Sequence, residues 1–351
     1  MTVRLTRRGF VGAAVAVPAL AALPIALQGV GAQDGITVTM VTDTNGLGDQ
    51  NFNDLANAAG EKAATDLGIT WKVIESTDIP SFVPNLTAAA EQGQMAVGVG
   101  YLLTDAMTSV ATQFPDVDFV LIDSASDAEN VRSVLFKEHE AAFLGGVAAG
   151  LLTQTGKIGI IGGERIPPVI RYEVGFRAGV ESVNPDAEIV IAYADTFADP
   201  EKGKELALAQ LADGADIIFP VAGATGSGAE IAVGEQNKPG EQWFIGADVS
   251  QDHLAPGFEY FVVRKGVDTA VYEAIQQEVD GAFEAGVHTL GIAEGDVGFE
   301  DPNGRVPADV MAQVEEWQAK IIDGSVVPPS TDDEYAAFEG GAASPVASPA
   351  G

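Results

Sequence analysis

Three acids stand at the ends of apolar runs that read as β-strands. Thr37–Asp43 ends on Asp43, Phe119–Asp123 on Asp123 and Trp243–Asp248 on Asp248. Two glycine-rich turns end further runs: Gly162-Gly163 after Lys157, and Ala222-Gly223-Ala224-Thr225-Gly226 after Asp216–Val221. Ligands of open α/β sheets bind outside the carboxyl ends of the strands. Carboxylates placed there accept hydrogen bonds from ligand N–H and O–H groups, and glycine allows close backbone approach. Any one such acid alone reads as a helix N-cap or turn residue. Three of them, spread over two sets of strands, read as a site. Phe52 follows the polar loop Thr44–Asn51, where an aromatic either caps a planar ligand or serves as a hydrophobic staple. Phe176, inside the helical stretch Val169–Val183, divides evenly between a ligand role and core packing. Lys265 ends another strand; solvation is its ordinary explanation.

The same residue types exclude much. Gly223–Gly228 lacks the lysine of a phosphate-binding loop, and Gly159–Gly163 departs from the dinucleotide fingerprint. There is no G-x-S-x-G elbow. The chain has no cysteine, and its three histidines (His139, His253, His288) are far apart, so zinc-thiolate sites, thiol nucleophiles and histidine triads are not expected. No catalytic residue, cofactor or metal is therefore predicted. Among 351 residues, 51 Asp and Glu face 18 Lys and Arg, a net charge of −33 that argues against nucleic acid and anionic lipid as partners. At 46% hydrophobic residues the chain has the material for real cores.

Elements that could position these groups alternate along the chain. Strands are expected at Thr37–Asp43, Trp71–Glu75, Met95–Gly100, Phe119–Asp123, Lys157–Gly162, Glu188–Tyr193, Asp216–Val221, Trp243–Asp248, Tyr260–Arg264 and His288–Ile292. Helices are expected at Asn53–Leu67, Thr104–Gln113, Ala141–Leu152, Val169–Val183, Pro200–Asp213, Ser227–Gln236, Val267–Phe283 and Ala308–Ile322. This alternation predicts parallel sheets with right-handed crossovers, in two similar α/β lobes divided near Glu138. The expected division is 36–135 plus 266–290 for the first lobe and 136–265 plus 291–325 for the second. From Val326 to Gly351 the Pro-, Ser-, Gly- and acid-rich composition predicts a disordered tail. Residues 1–32 carry Arg4, Arg7 and Arg8 without an acid, then an apolar run, then Val30-Gly31-Ala32. Arg7-Arg8-Gly9-Phe10 resembles a twin-arginine export signal, cleaved near Ala32. An uncleaved membrane anchor is the alternative.

Several stretches, in order, resemble one family. They are Asp43-Thr44-Asn45-Gly46-Leu47-Gly48-Asp49-Gln50-Asn51-Phe52-Asn53, Phe136–Gly146, Lys157–Gly163, Arg171–Gly179, Gly203–Ala207, Ala222–Gly228, Ile245–Asp248 and Lys265–Tyr272. Together they resemble the basic membrane protein family of extracytoplasmic substrate-binding proteins, in its purine-nucleoside receptor branch. The resemblance implies a type I periplasmic-binding-protein fold, two hinged lobes joined by multiple crossovers. It also implies a monomer that closes on adenosine, guanosine or inosine and delivers it to the permease of an ABC importer. Carried over by position, Phe52 and Phe176 would sandwich the purine. Asp43 and Asp123 would bond its polar edge, Asp248 and Lys265 would hold the ribose, Gly223 would give backbone access, and Asn53 would contribute beside Phe52. The family commonly carries a lipoprotein cysteine, which this chain lacks. An exported protein, periplasmic or at the cell surface, follows. The competing readings are a sugar-binding protein or sensor on the same fold and a secreted nucleoside-processing enzyme.

Overall fold

The computed structural model describes residues Gly35–Phe338. The export signal expected at 1–32 and the final part of the expected tail, 339–351, lie outside the described residues. The chain begins β1 (Thr37–Val41), α1 (Phe52–Leu67), β2 (Thr70–Ile74), α2 (Phe82–Gln92), β3 (Met95–Val99), α3 (Thr104–Ala111), β4 (Asp118–Ile122) and β5 (Val131–Phe136). It continues α4 (Glu138–Leu152), β6 (Lys157–Gly162), α5 (Pro167–Val183), β7 (Glu188–Tyr193), α6 (Pro200–Ala212), β8 (Ile217–Val221), α7 (Ala224–Glu235) and β9 (Trp243–Asp248). It ends β10 (Glu259–Lys265), α8 (Val267–Val279), β11 (Gly286–Leu290), β12 (Val297–Glu300), α9 (Ala308–Ile322) and α10 (Asp332–Ala336).

Two six-stranded sheets result, in the orders β11-β5-β4-β3-β1-β2 and β12-β10-β9-β8-β6-β7. All pairings are parallel except β10 with β12 at the edge of the second sheet. The central strands β3 and β8 are buried throughout, as continuous apolar runs covered by helices on both faces require. Chain order therefore crosses between the sheets after β5, after β10 and after β11. These passages lie side by side: Lys137 N–H donates to Leu290 O (2.8 Å) and Gly266 N–H to Asp296 O (2.6 Å). The two-lobe α/β architecture is the one expected from the alternation.

Two local features shape the second lobe. Helices α4 and α5 cross with backbone on backbone. A Cβ on Gly146 would stand 2.0 Å from Phe176 O, and one on Gly179 would stand 2.0 Å from Phe143 O. That crossing brings the start of α4 beside Arg171 and Tyr172 of α5. In β8, Pro220 has no N–H, and the ladder with β9 ends at Ile218 opposite Phe244. The carboxyl ends of β8 and β9 are thus free of each other where they reach Gly223 and Asp248.

Some expectations require correction. Phe82–Gln92 and Val131–Phe136 are regular elements that local pattern did not reveal. Residues 326–338, expected to be disordered, are ordered in this structure. Arg165 Nη2 binds both oxygens of Asp332 (2.8 and 2.9 Å), and the Arg177 guanidinium lies 4.0 Å from the centroid of the Tyr335 ring. Tyr335 also donates to Glu181, and the Phe338 ring lies 6.1 Å from that of Phe143. A few anchoring side chains on the lobe surface decide the matter, against composition. Among the described residues no helix is long and apolar enough to cross a membrane.

Candidate functional site

The strand ends of both sheets face one cleft. Its first wall starts at the end of β1. Asp43 Oδ1 accepts from Asn45 N–H (2.9 Å) and Asn53 Nδ2 (2.9 Å). Asp49, buried in the same loop, accepts from the N–H groups of Asn51, Asn53 and Asp54 at 2.8 to 3.1 Å. A carboxylate at the N-terminus of α1 satisfies donors that the helix leaves free and favours the local dipole. It fixes the loop so that Asn45, Asn51 and Phe52 line the cleft. The buried Asn53 is not among the lining residues. Its amide is engaged by Asp43 and Asp49, so it orients Asp43 from behind.

The second wall comes from the other sheet. Tyr172, Phe197, Gly223, Asp248 and Lys265 line it, with Ile166, Val169 and Ala222 supplying apolar surface. Phe197, in the connection from β7 to α6, lies against the backbone of Gly163: a Cβ there would meet its ring at 2.3 Å. Gly223 has φ +55°, where a side chain is strained, and its missing Cβ would stand 2.7 Å from Asn45 Nδ2 of the opposite wall. The walls also touch through Ser227 Oγ to Asp49 O (3.3 Å) and His253 Nε2 to Gln50 Oε1 (2.7 Å). The lobes are closed on one another.

Asp123 and Asp248 occupy matching places, each just at the end of a central strand and each left-handed, at φ 73° and 65°. Such backbones, tolerated by Asp better than by most residues, cluster at ligand sites. Lys265 Nζ lies 2.6 Å from Asp123 and 3.1 Å from Glu138, and Arg171 Nε lies 2.5 Å from Glu138. Two cations and two carboxylates therefore balance under the cleft. The Lys265 ammonium is surrounded by the rings of Phe52, Phe136 and Tyr172 at 5.1, 5.1 and 5.9 Å. Burial opposes its charge, but Asp123, Glu138 and Asp248 outweigh burial and hold it protonated. Asp248 accepts from Tyr172 Oη (2.5 Å). Burial pushes Asp248 up to about 6 against the opposing pull of Lys265, and burial likewise pushes Asp43 up to about 6. Both remain mostly ionised at neutral pH and act as hydrogen-bond acceptors. The Oδ1 atoms of Asn45 and Asn51 are buried without a partner, so the cleft wall adds further acceptors.

Of the residues singled out in the sequence, Asp43, Phe52, Asp123, Gly223, Asp248 and Lys265 meet in this cleft. Phe176 does not. It is fully buried, its ring 4.9 Å from Phe219 in the core. The reason is helical geometry. Tyr172, one turn earlier, reaches the strand ends, and Phe176 lies about 6 Å further along the axis, over the body of the sheet. The phenylalanine that lines the cleft from this lobe is Phe197, beside Tyr172. The strand-end rule, applied to the strand ending at Tyr193, would have reached its neighbourhood; nothing local in Asp195-Thr196-Phe197 marks the ring itself. Among the described residues no group of three or more His, Asp or Glu could hold a metal ion.

Known proteins place this geometry. The family model described as "ABC transporter substrate-binding protein PnrA-like" matches residues 36–331. A "CD4+ T-cell-stimulating antigen" of Listeria monocytogenes is 36% identical over 84% of this chain and 88% of its own length. The "ABC transporter nucleoside-binding protein BmpA" of Lactococcus lactis is 32% identical over 84% of this chain and 89% of its own. A solved ABC transporter solute-binding protein from Aeropyrum pernix, 32% identical, superposes with a TM-score of 0.79 over 86% of this chain and 96% of that one. The family and the Lactococcus and Aeropyrum relatives are substrate-binding proteins rather than enzymes, and the closed cleft between two parallel sheets is what such a protein needs. The chain belongs to the PnrA-like family of ABC transporter substrate-binding proteins.

Proposed function

We propose that the cleft captures an uncharged purine nucleoside and that the protein presents it to the permease of an ABC importer. The observation that carries this reading is the pairing of two phenylalanines, Phe52 and Phe197, on opposite walls with polar walls rich in acceptors. A purine has two flat faces and a polar edge, and stacking on an aromatic contributes about 1–3 kcal/mol per base. Asp43 serves the base edge. Asp248, oriented by Tyr172, accepts from the ribose hydroxyls, with Asp123 and Lys265 beside it. Asp123 shifts from base edge to sugar end in this reading because the Lys265 ammonium holds it. The balanced charge beneath the cleft, with Asp43 and Asp248 in excess, disfavours a phosphate. The nucleoside named for the Lactococcus lactis relative is consistent with this substrate class.

Export to the cell surface or periplasm belongs to the same proposal. A Pyrococcus abyssi relative is described as a lipoprotein, whereas this chain has no cysteine to acylate. Cleavage near Ala32 releases the exported protein and an uncleaved N-terminal segment tethers it, and the mass of the exported protein distinguishes the two.

Isothermal titration of the purified protein with adenosine, guanosine, inosine and ribose tests the substrate. Binding of at least one nucleoside, with ribose alone binding weakly, is expected. Heat from ribose and none from any nucleoside would sink the proposal in favour of a sugar receptor. Slow release of free base from inosine would revive an enzyme.

A further inference from the structure

Glu138 does not line the cleft, yet it is completely buried beneath it. A carboxylate withdrawn from water needs compensating partners. Its partners are Arg171, through Nε at 2.5 Å and Nη2 at 3.2 Å, and Lys265 at 3.1 Å. Arg171 is there because α4 and α5 cross on glycine. Glu138 is the first residue of α4, directly after the chain's first passage between the sheets. Lys265 is the last residue of β10, directly before the second. The ion pair therefore ties two of the passages on which the lobes turn, and Lys265 joins it to Asp123 at the end of β4. An ammonium has three N–H groups. Asp123 accepts from one of them, Glu138 lies at ion-pair distance, and Lys265 also lines the cleft.

We propose that Glu138, clamped by Arg171, is the positioning residue of this receptor: it holds the Lys265 ammonium at the junction of the lobes and balances its charge for an uncharged ligand. The inference rests on the cleft being the ligand site. Without the Glu138 charge, Lys265 and Arg171 are left with Asp123 as their one close carboxylate partner, and the ammonium is drawn away from its place at the junction toward Asp123 and Asp248. The groups facing this cluster are Asp123, Asp248, Asp43 and Tyr172. His139, next in sequence, is pushed down to about 4 by burial and stays neutral above that. Glu138 is among the charges that hold Asp248 up, so neutralising it lowers the Asp248 titration.

The test compares wild type, Glu138→Gln, Glu138→Asp and Arg171→Gln by titration with guanosine, adenosine and inosine from about pH 4.5 to about pH 8. Circular dichroism checks folding, and carboxyl NMR follows Asp248 in the free proteins. For Glu138→Gln a loss of affinity of about tenfold or more is expected, with the pH midpoint of binding moved to the acid side. Arg171→Gln should move the midpoint to the alkaline side, and Glu138→Asp should restore it. A folded Glu138→Gln that binds within about twofold of wild type with an unmoved midpoint overturns the inference. If that variant does not fold, an unmoved midpoint in Arg171→Gln overturns it instead. A wild type that binds no nucleoside refutes the proposed substrate, and the Asp248 NMR shift in Glu138→Gln then decides the positioning role separately: a shift upholds it and no shift overturns it.

Discussion

The two phenylalanines of the second lobe make opposite predictions, and the pair of alanine variants separates them. Phe197 is half-buried, lines the cleft and rests on the Gly163 backbone, which pre-sets the ring before ligand arrives. Phe197→Ala removes one of two stacking faces. At about 1–3 kcal/mol for a stacked base, affinity should fall about 5- to 140-fold. The pre-set ring has little rotamer freedom left to lose, which favours the upper half of that range. Stability should change by no more than about 1 kcal/mol, because the ring is not part of the closed core. Phe176 is fully buried, its ring tilted against that of Phe219, and packed where α4 and α5 touch. Phe176→Ala should cost about 3–5 kcal/mol of stability through the cavity it leaves. At temperatures where the variant is folded, its nucleoside affinity should stay close to wild type. Calorimetric titration gives the affinities and urea unfolding the stabilities. If Phe176→Ala, folded, loses ligand while Phe197→Ala binds normally, the assignment of the stacking ring is wrong.

Other expectations follow from the same geometry. Asp43 and Asp248 both titrate near pH 6 in the free protein, and binding needs their ionised forms as acceptors. Affinity should be flat above that value and fall as pH drops through it, by up to about tenfold per pH unit for each group. A profile flat down to pH 4.5, near the ordinary carboxylate range, would contradict this. Gly223→Ala places a methyl in a strained backbone and against Asn45 across the cleft, so it should weaken nucleoside binding and leave the lobes open in small-angle scattering. Glu230 is buried with neither carboxyl oxygen partnered, and burial raises its titration well above the ordinary carboxylate value. The folded protein keeps this proton to higher pH than the unfolded chain, so stability is full below the unfolded value and is lost as pH rises toward the folded one. Glu230→Gln should remove that slope in urea titrations made across pH; an unchanged slope would show that Glu230 is not its source.

How much of this was legible beforehand differs between fold and site. Alternating apolar runs and amphipathic stretches announce parallel strands and covering helices, because period and burial are local properties. Strand ends that carry Asp43, Asp123 and Asp248 announce a cleft, because α/β topology sends every such end to one edge. The misses have a different character. Phe82–Gln92 is a helix whose first-turn proline hides its pattern, and residues 332–336 are ordered by Arg165, Arg177 and Glu181, all distant in sequence.

The alternation of its segments announced two α/β lobes from the sequence alone, and the order of its motifs, through their resemblance to one family, implied a substrate-binding protein and most of the residues around its cleft. Only the tertiary structure decided which phenylalanine faces that cleft and what holds Lys265. About 6 Å along one helix separates a cleft residue from a core residue, and no periodicity locates the plane between them. Whether Lys265 is a solvated lysine or the buried centre of an ion cluster depends on Asp123, 142 positions away, and on Glu138. Electrostatics acts through space, and a sequence records only which charges exist.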